Sequence, residues 1–218
     1  MKPKIVHHKF PKEQYFPENT IKKQIVLHHT VSGISPNGDI NWWTRTTARI
    51  ATCIIVSRDG TVHTLFKSEY WAHHLGIKSK VFKKLNIPST GANKELNMAS
   101  IGIEIDSWGG LSEKNGKFYT STNKEISSDK VIDYGKEIRG FRYYEKYTKE
   151  QIASVKYLLK YWNDKYEIPL KYHPEMWELN IDALKGKEGV WAHVSFRSDK
   201  SDVHPQSQLI EMLKSLAD

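Results

Sequence analysis

Only one cysteine, Cys53, occurs among the 218 residues. No internal disulfide can form, so a disulfide scaffold is excluded and synthesis in a reducing compartment is expected. No apolar run approaches the ~20 residues that span a bilayer. The stretch from Met1 to Gln14 is basic and polar, without the apolar core of a secretory leader. No signal peptide and no membrane insertion are therefore expected. Internal repeats and low-complexity tracts are also missing, which argues against solenoids and linkers. Acidic residues are in deficit, with Asp+Glu 25 against Lys+Arg 33 and a formal net charge of +8. That balance suits a polyanionic partner such as nucleic acid, anionic lipid or an acidic cell-wall polymer. The positive charge is dispersed and no nucleic-acid motif is present, so nucleic acid is not the expected partner.

What the chain does have is globular composition: 39% hydrophobic and 27% charged residues, with Trp 7, Tyr 11 and Phe 7. The length suits one domain with insertions. Gln24 to Thr30 reads as a buried strand, followed by a turn-rich segment from Ser32 to Gly38 and a short helix through Trp42, Trp43 and Ala48. Ala51 to Ser57 and Thr61 to Phe66 form a hairpin across Arg58-Asp59-Gly60. In Ser100 to Asp106, Ile101, Ile103 and Ile105 take one face while Gly102, Glu104 and Asp106 take the other. Thr148-Lys149-Glu150-Gln151 has the form of a capping box opening an amphipathic helix that Ile168-Pro169 stops. A last helix runs from Gln206 to Leu216. Residues 78–98 and 107–147 are polar and poorly periodic, and are expected to be insertions. The expected architecture is a single α/β domain, a central mixed sheet flanked by helices. An extension occupies residues 1–20 and the domain residues 21–218.

Ten histidines are a large supply, and most are expected to be ordinary surface or core side chains. Of His28 and His29, strand alternation sends one toward a site at the strand end and the other to the opposite face; alternation alone leaves open which. His193 and the run Arg197-Ser198-Asp199-Lys200-Ser201-Asp202-Val203-His204 bring imidazole, ammonium and carboxylate into a short span. Two neutral imidazoles and one carboxylate make a three-ligand zinc site with a fourth position open for water, the catalytic arrangement. Cys53 is an alternative ligand, but its setting in Cys53-Ile54-Ile55-Val56 marks it as core.

Four blocks carry a family resemblance: Ile25-Val26-Leu27-His28-His29-Thr30, Arg58-Asp59-Gly60-Thr61-Val62, Ser100-Ile101-Gly102-Ile103-Glu104, and His193 with Lys200-Ser201-Asp202. Together, in this order, they resemble the zinc-dependent N-acetylmuramoyl-L-alanine amidases of the amidase-2 type, whose superfamily includes the peptidoglycan recognition proteins. The resemblance implies zinc held by His28, His193 and Asp202, with Glu104 as general base and Lys200 beside the substrate carbonyl. It implies peptidoglycan as substrate, hydrolysed between N-acetylmuramic acid and L-alanine. Trp71, His73 and His74 are candidates for the substrate groove, with core packing an equal alternative for Trp71. Two departures stand out. Ala51-Thr52 occupies the place where some relatives carry a tyrosine, and Val203-His204-Pro205 follows the third ligand where Pro-Gly-Pro is common, which leaves open whether His204 enters the site. The size of the chain resembles a bacteriophage or prophage endolysin, expected as a monomer made in the bacterial cytoplasm and acting on the wall after release. A non-catalytic peptidoglycan-binding module is the rival reading.

Overall fold

The computed structural model describes residues 2–216, so the outermost ends of the expected 1–20 extension and 21–218 domain lie outside it. In chain order the elements are β1 (Ile5–His7), β2 (Gln24–His29), α1 (Asn37–Arg45), β3 (Ile54–Val56), β4 (Val62–Thr64), α2 (Ser79–Lys84), α3 (Ala92–Ala99) and β5 (Ser100–Ile105). There follow β6 (Gly110–Lys114), β7 (Lys117–Tyr119), β8 (Glu125–Ile126), β9 (Val131–Ile138) and β10 (Phe141–Glu145). The chain then forms α4 (Lys149–Tyr166), α5 (Ile181–Leu184), β11 (Gly189–Ala192) and α6 (Ser207–Lys214).

Six strands form a mixed sheet in the order β1-β4-β3-β5-β2-β11. β2, β3, β5 and β11 run parallel, and β4 pairs antiparallel with β3. The back face carries Ile25, Leu27, Ile54, Val56, Ile103 and Ile105, packed with Val155, Leu158, Leu159 and Trp162 of α4 and Leu209 and Leu213 of α6. Strands buried on both faces read as continuous apolar runs, as Ile25-Val26-Leu27 of β2 and Ile54-Ile55-Val56 of β3 do. The front face carries Ile55 in a smaller core with Ile40 and Trp43 of α1. The capping box expected at Thr148 forms: its side chain accepts from Gln151 N, and Gln151 answers to the Thr148 backbone.

Residues 2–20 pack against the domain, because β1 pairs with β4, Phe10 and Tyr15 enter the front core, and Phe16 bonds Trp71 through the backbone at 2.7 Å. The expected insertions are also more ordered than their composition suggested. Residues 78–98 hold α2 and α3, and 107–147 fold into a five-stranded antiparallel sheet, β8-β7-β6-β10-β9. This second sheet needs little apolar surface, only a small core of Trp108, Leu111 and Val131, since an antiparallel sheet tolerates water on one side. Its strands of two to eight residues are mostly too short to show a period. The legible signal was in the turns: Asn115-Gly116, both with positive φ (53° and 76°), is the backbone a tight hairpin favours. The Arg58 guanidinium fastens the two sheets, reaching Asp106 at 2.7 Å and Glu145 at 2.8 Å.

Candidate metal centre

The parallel register sets His28 of β2 beside Glu104 of β5, and His193 follows the last residue of β11. All three lie at the carboxyl ends of parallel strands, where open α/β sheets place their sites. His28, His193 and Asp202 are buried, and one ligand-type atom of each lies within 4.8 Å of the others. The His28 and His193 Nδ1 atoms are 3.0 Å apart, and Asp202 Oδ2 lies 2.8 Å from His193 Nδ1 and 3.3 Å from His28 Nδ1.

The surrounding hydrogen bonds fix where the protons are. His193 Nε2 is 2.9 Å from the Leu75 carbonyl, which can only accept, so Nε2 carries a proton and the neutral ring presents its lone pair at Nδ1. Ser100 Oγ donates its one proton to the Leu96 carbonyl at 2.6 Å, so it accepts from His74 Nε2 at 2.8 Å. The His74 Nδ1 lone pair then accepts from His28 Nε2 at 2.9 Å, and His28 Nδ1 is left bare. Burial, reinforced by His193, lowers the His28 pKa to about 4, against the pull of Asp202, so the ring is neutral near pH 7. With both rings neutral, two imidazole lone pairs and a carboxylate oxygen converge, a donor set that a metal cation satisfies and whose composition suits zinc with an open position.

Glu104 projects from the same face, and its Oε2 is buried without a partner. Burial, then the Asp202 and Asp39 carboxylates, holds its pKa well above the ordinary carboxylate range, with Lys200 acting in the opposite sense. The Lys200 ammonium forms no ion pair among the described residues, yet its charge acts on His28 and Glu104. Asp199, the competing carboxylate of this loop, turns to Arg197 at 2.8 Å and lies away from the histidines.

The Trp71, His73 and His74 segment divides. Trp71 is only 2% exposed, with its indole stacked on Phe16 at 3.8 Å, so it packs and does not wall a groove. His73 is half-buried against Phe16 and Trp71. His74 stands behind His28, its Nδ1 2.9 Å from His28 Nε2. Gly102 makes room for it, since a Cβ there would stand 2.7 Å from Thr52 Cγ2 and 3.1 Å from His74 Nδ1. Sequence reasoning placed His74 near the site without the contact that gives it a purpose, because that contact joins residues 46 apart. Cys53 is buried in the apolar core. A cavity of about 620 Å³ lies elsewhere, between α4 and β1, lined by Tyr157, Tyr161 and Lys165 among others. The donor set, not that cavity, marks this site.

His29 and His204 lie on the back face. His29 Nδ1 meets Tyr147 Oη at 2.9 Å. His204 stacks on Tyr147, donates from Nε2 to the Glu145 carbonyl at 3.1 Å and accepts from Tyr134 Oη at 2.8 Å. Burial lowers the His29 pKa to about 4 and that of His204 well below the ordinary value. His204 does not enter the metal centre.

Residues 18–205 match the family model described as N-acetylmuramoyl-L-alanine amidase. No curated protein sequence matches the chain. Among solved structures, that of PlyL has 14% identity and a TM-score of 0.53, covering 100% of this chain and 99% of that one. The N-acetylmuramoyl-L-alanine amidase LysC from Clostridium intestinale URNW has 16% identity and a TM-score of 0.52, covering 98% and 97%. The Staphylococcus aureus hydrolase AmiA, solved with its ligand, has 14% identity and a TM-score of 0.53, covering 100% and 84%. At these identities the likeness is one of fold.

Proposed function

Given that the chain belongs to the amidase-2 family of N-acetylmuramoyl-L-alanine amidases, and so is a peptidoglycan hydrolase, we propose that its front-face centre holds one zinc ion. His28, His193 and Asp202 are the ligands in this reading. The observation that carries it is the convergence of two Nδ1 lone pairs and one carboxylate oxygen within 3.3 Å. Zinc bound there supplies Lewis acidity, polarising the substrate carbonyl and lowering the pKa of a water toward ~7.

The remaining steps belong to this chain's side chains. Glu104, beside His28 in register, takes a proton from the attacking water as the C–O bond forms at the carbonyl of the muramyl lactyl group. As the C–N bond breaks, the same carboxyl delivers that proton to the departing L-alanine nitrogen. Lys200 places an ammonium, without an ion-pair partner among the described residues, beside the oxyanion that develops, where one such donor is worth roughly 3 kcal/mol. Thr52, with Ala51 before it, offers no phenol, which leaves the proton transfer to Glu104. The biological role in this reading is lysis of a bacterial host from within, as for a phage or prophage endolysin. No helix among the described residues is long and apolar enough to cross a membrane.

Mass spectrometry of purified cell walls digested by the protein tests the bond specificity. The expected products are stem peptides with a free L-alanine amine and intact glycan strands. New reducing sugar ends would instead identify a glycosidase.

A further inference from the structure

The two ligand histidines are held from behind by two consecutive residues. His74 accepts from His28 Nε2 through its side chain at 2.9 Å, and Leu75 accepts from His193 Nε2 through its carbonyl at 2.9 Å. One side chain in turn fixes this dipeptide. Asn97 of α3, fully buried, accepts from both backbone amides with its Oδ1, from His74 N at 2.7 Å and from Leu75 N at 3.1 Å. Its Nδ2 is anchored on the Asn93 carbonyl at 2.6 Å, and Asn93 Oδ1 accepts from Ile77 N at 2.9 Å. The last turn of the same helix supplies the Leu96 carbonyl that sets the Ser100 and His74 protons.

We propose that α3, through Asn97 and the His74-Leu75 dipeptide, is the positioning device of the metal centre, fixing the tautomer and ring orientation of both ligand histidines at once. The proposal rests on the reading of His28 and His193 as ligands. An acceptor fixed at Nε2 holds an imidazole in the tautomer and orientation that present Nδ1 to a cation. Here both acceptors belong to one short segment that would otherwise be a loop. Asn97 and His74 are positioning residues and touch no reacting atom. The role also gives residues 78–98 a function that their polar composition does not announce.

Three variants test this: His74→Leu, which removes the acceptor; His74→Asn, whose amide oxygen can replace Nδ1; and Asn97→Ala. Zinc affinity is measured by chelator competition, and the His28 tautomer by ¹⁵N NMR of the metal-free protein. His74→Leu is expected to weaken zinc binding by ~10 to 100-fold and to lose the single Nε2–H tautomer of His28. His74→Asn is expected to recover most of both, and Asn97→Ala to weaken zinc in the same direction while disturbing both histidines. Should His74→Leu match the parent in affinity and tautomer, or His74→Asn be as impaired as His74→Leu, the positioning role is wrong. A merely structural role would lower thermal stability without moving the tautomer. If the parent itself binds no zinc, the metal reading fails, while the tautomer measurement still decides the hydrogen-bond relay.

Discussion

His28 and His29 are neighbours in one strand, both buried and both neutral near pH 7, yet they sit in two different kinds of polar cluster. On the front face, the hydrogen bonds around His28 end in lone pairs that point at one another. On the back face, donors meet acceptors: phenol and carbonyl satisfy both ring nitrogens of His204 and Tyr147 Oη meets His29 Nδ1, while His29 Nε2 stays buried without a partner. The same pairing recurs in the loop after β11, where Asp202 goes forward and His204 backward. A buried network that pairs donors with acceptors specifies packing, whereas a network that leaves acceptors facing acceptors asks for a ligand. Burial and residue type do not separate the two; the placement of protons does.

The sharpest way to break this contrast is to remove metal. Chelation is expected to abolish wall hydrolysis and zinc to restore it, with the back-face cluster and the fold unchanged by circular dichroism. Lytic activity undiminished in metal-free protein would end the distinction.

Substitution of the front-face groups that hold no metal comes next. Glu104→Gln and Lys200→Ala should each slow turnover by ~100-fold while binding zinc normally, since both act on the transition state. Near-parental rates in both would show that the front face works through its metal ligands alone.

A smaller effect concerns stability. Burial raises the Glu104 pKa in the folded chain above its unfolded value of ~4.3. The stability of its neutral form is therefore fully present below that unfolded value and is lost as pH rises through the folded one. Metal-free Glu104→Gln, neutral throughout, should melt higher than the parent at pH 7, and the gain should vanish below about pH 4. A gain that is constant with pH would place its cause elsewhere.

The smallest change is expected on the back face. Tyr134→Phe removes the donor to His204 Nδ1 and should cost roughly 1 kcal/mol of stability by denaturant titration, leaving zinc affinity intact. Weakened zinc binding would show that the back-face cluster governs the Asp202 loop.

The sequence carried much of this. Alternation in Ser100 to Asp106 correctly separated Glu104 from the isoleucines, and it assigned His28 and His29 to opposite faces. The long helix and its Thr148 cap were equally plain, because capping and 3.6-residue periodicity are local. The fate of residues 78–98 and 107–147 was not legible, since short helices and half-solvated strands carry too few apolar residues to show a period. Nor was the place of His74 and Asn97, whose meaning lies in contacts with His28 and with the His74-Leu75 backbone that exist only once the sheet has formed.

Zinc content of two single variants tests the central contrast most directly. His28→Ala should lose most of its bound metal after dialysis, while His29→Ala should keep about one zinc per chain and lose only ~1 to 2 kcal/mol of stability. Metal lost from the His29 variant and retained by the His28 variant would contradict the account, reversing the two faces.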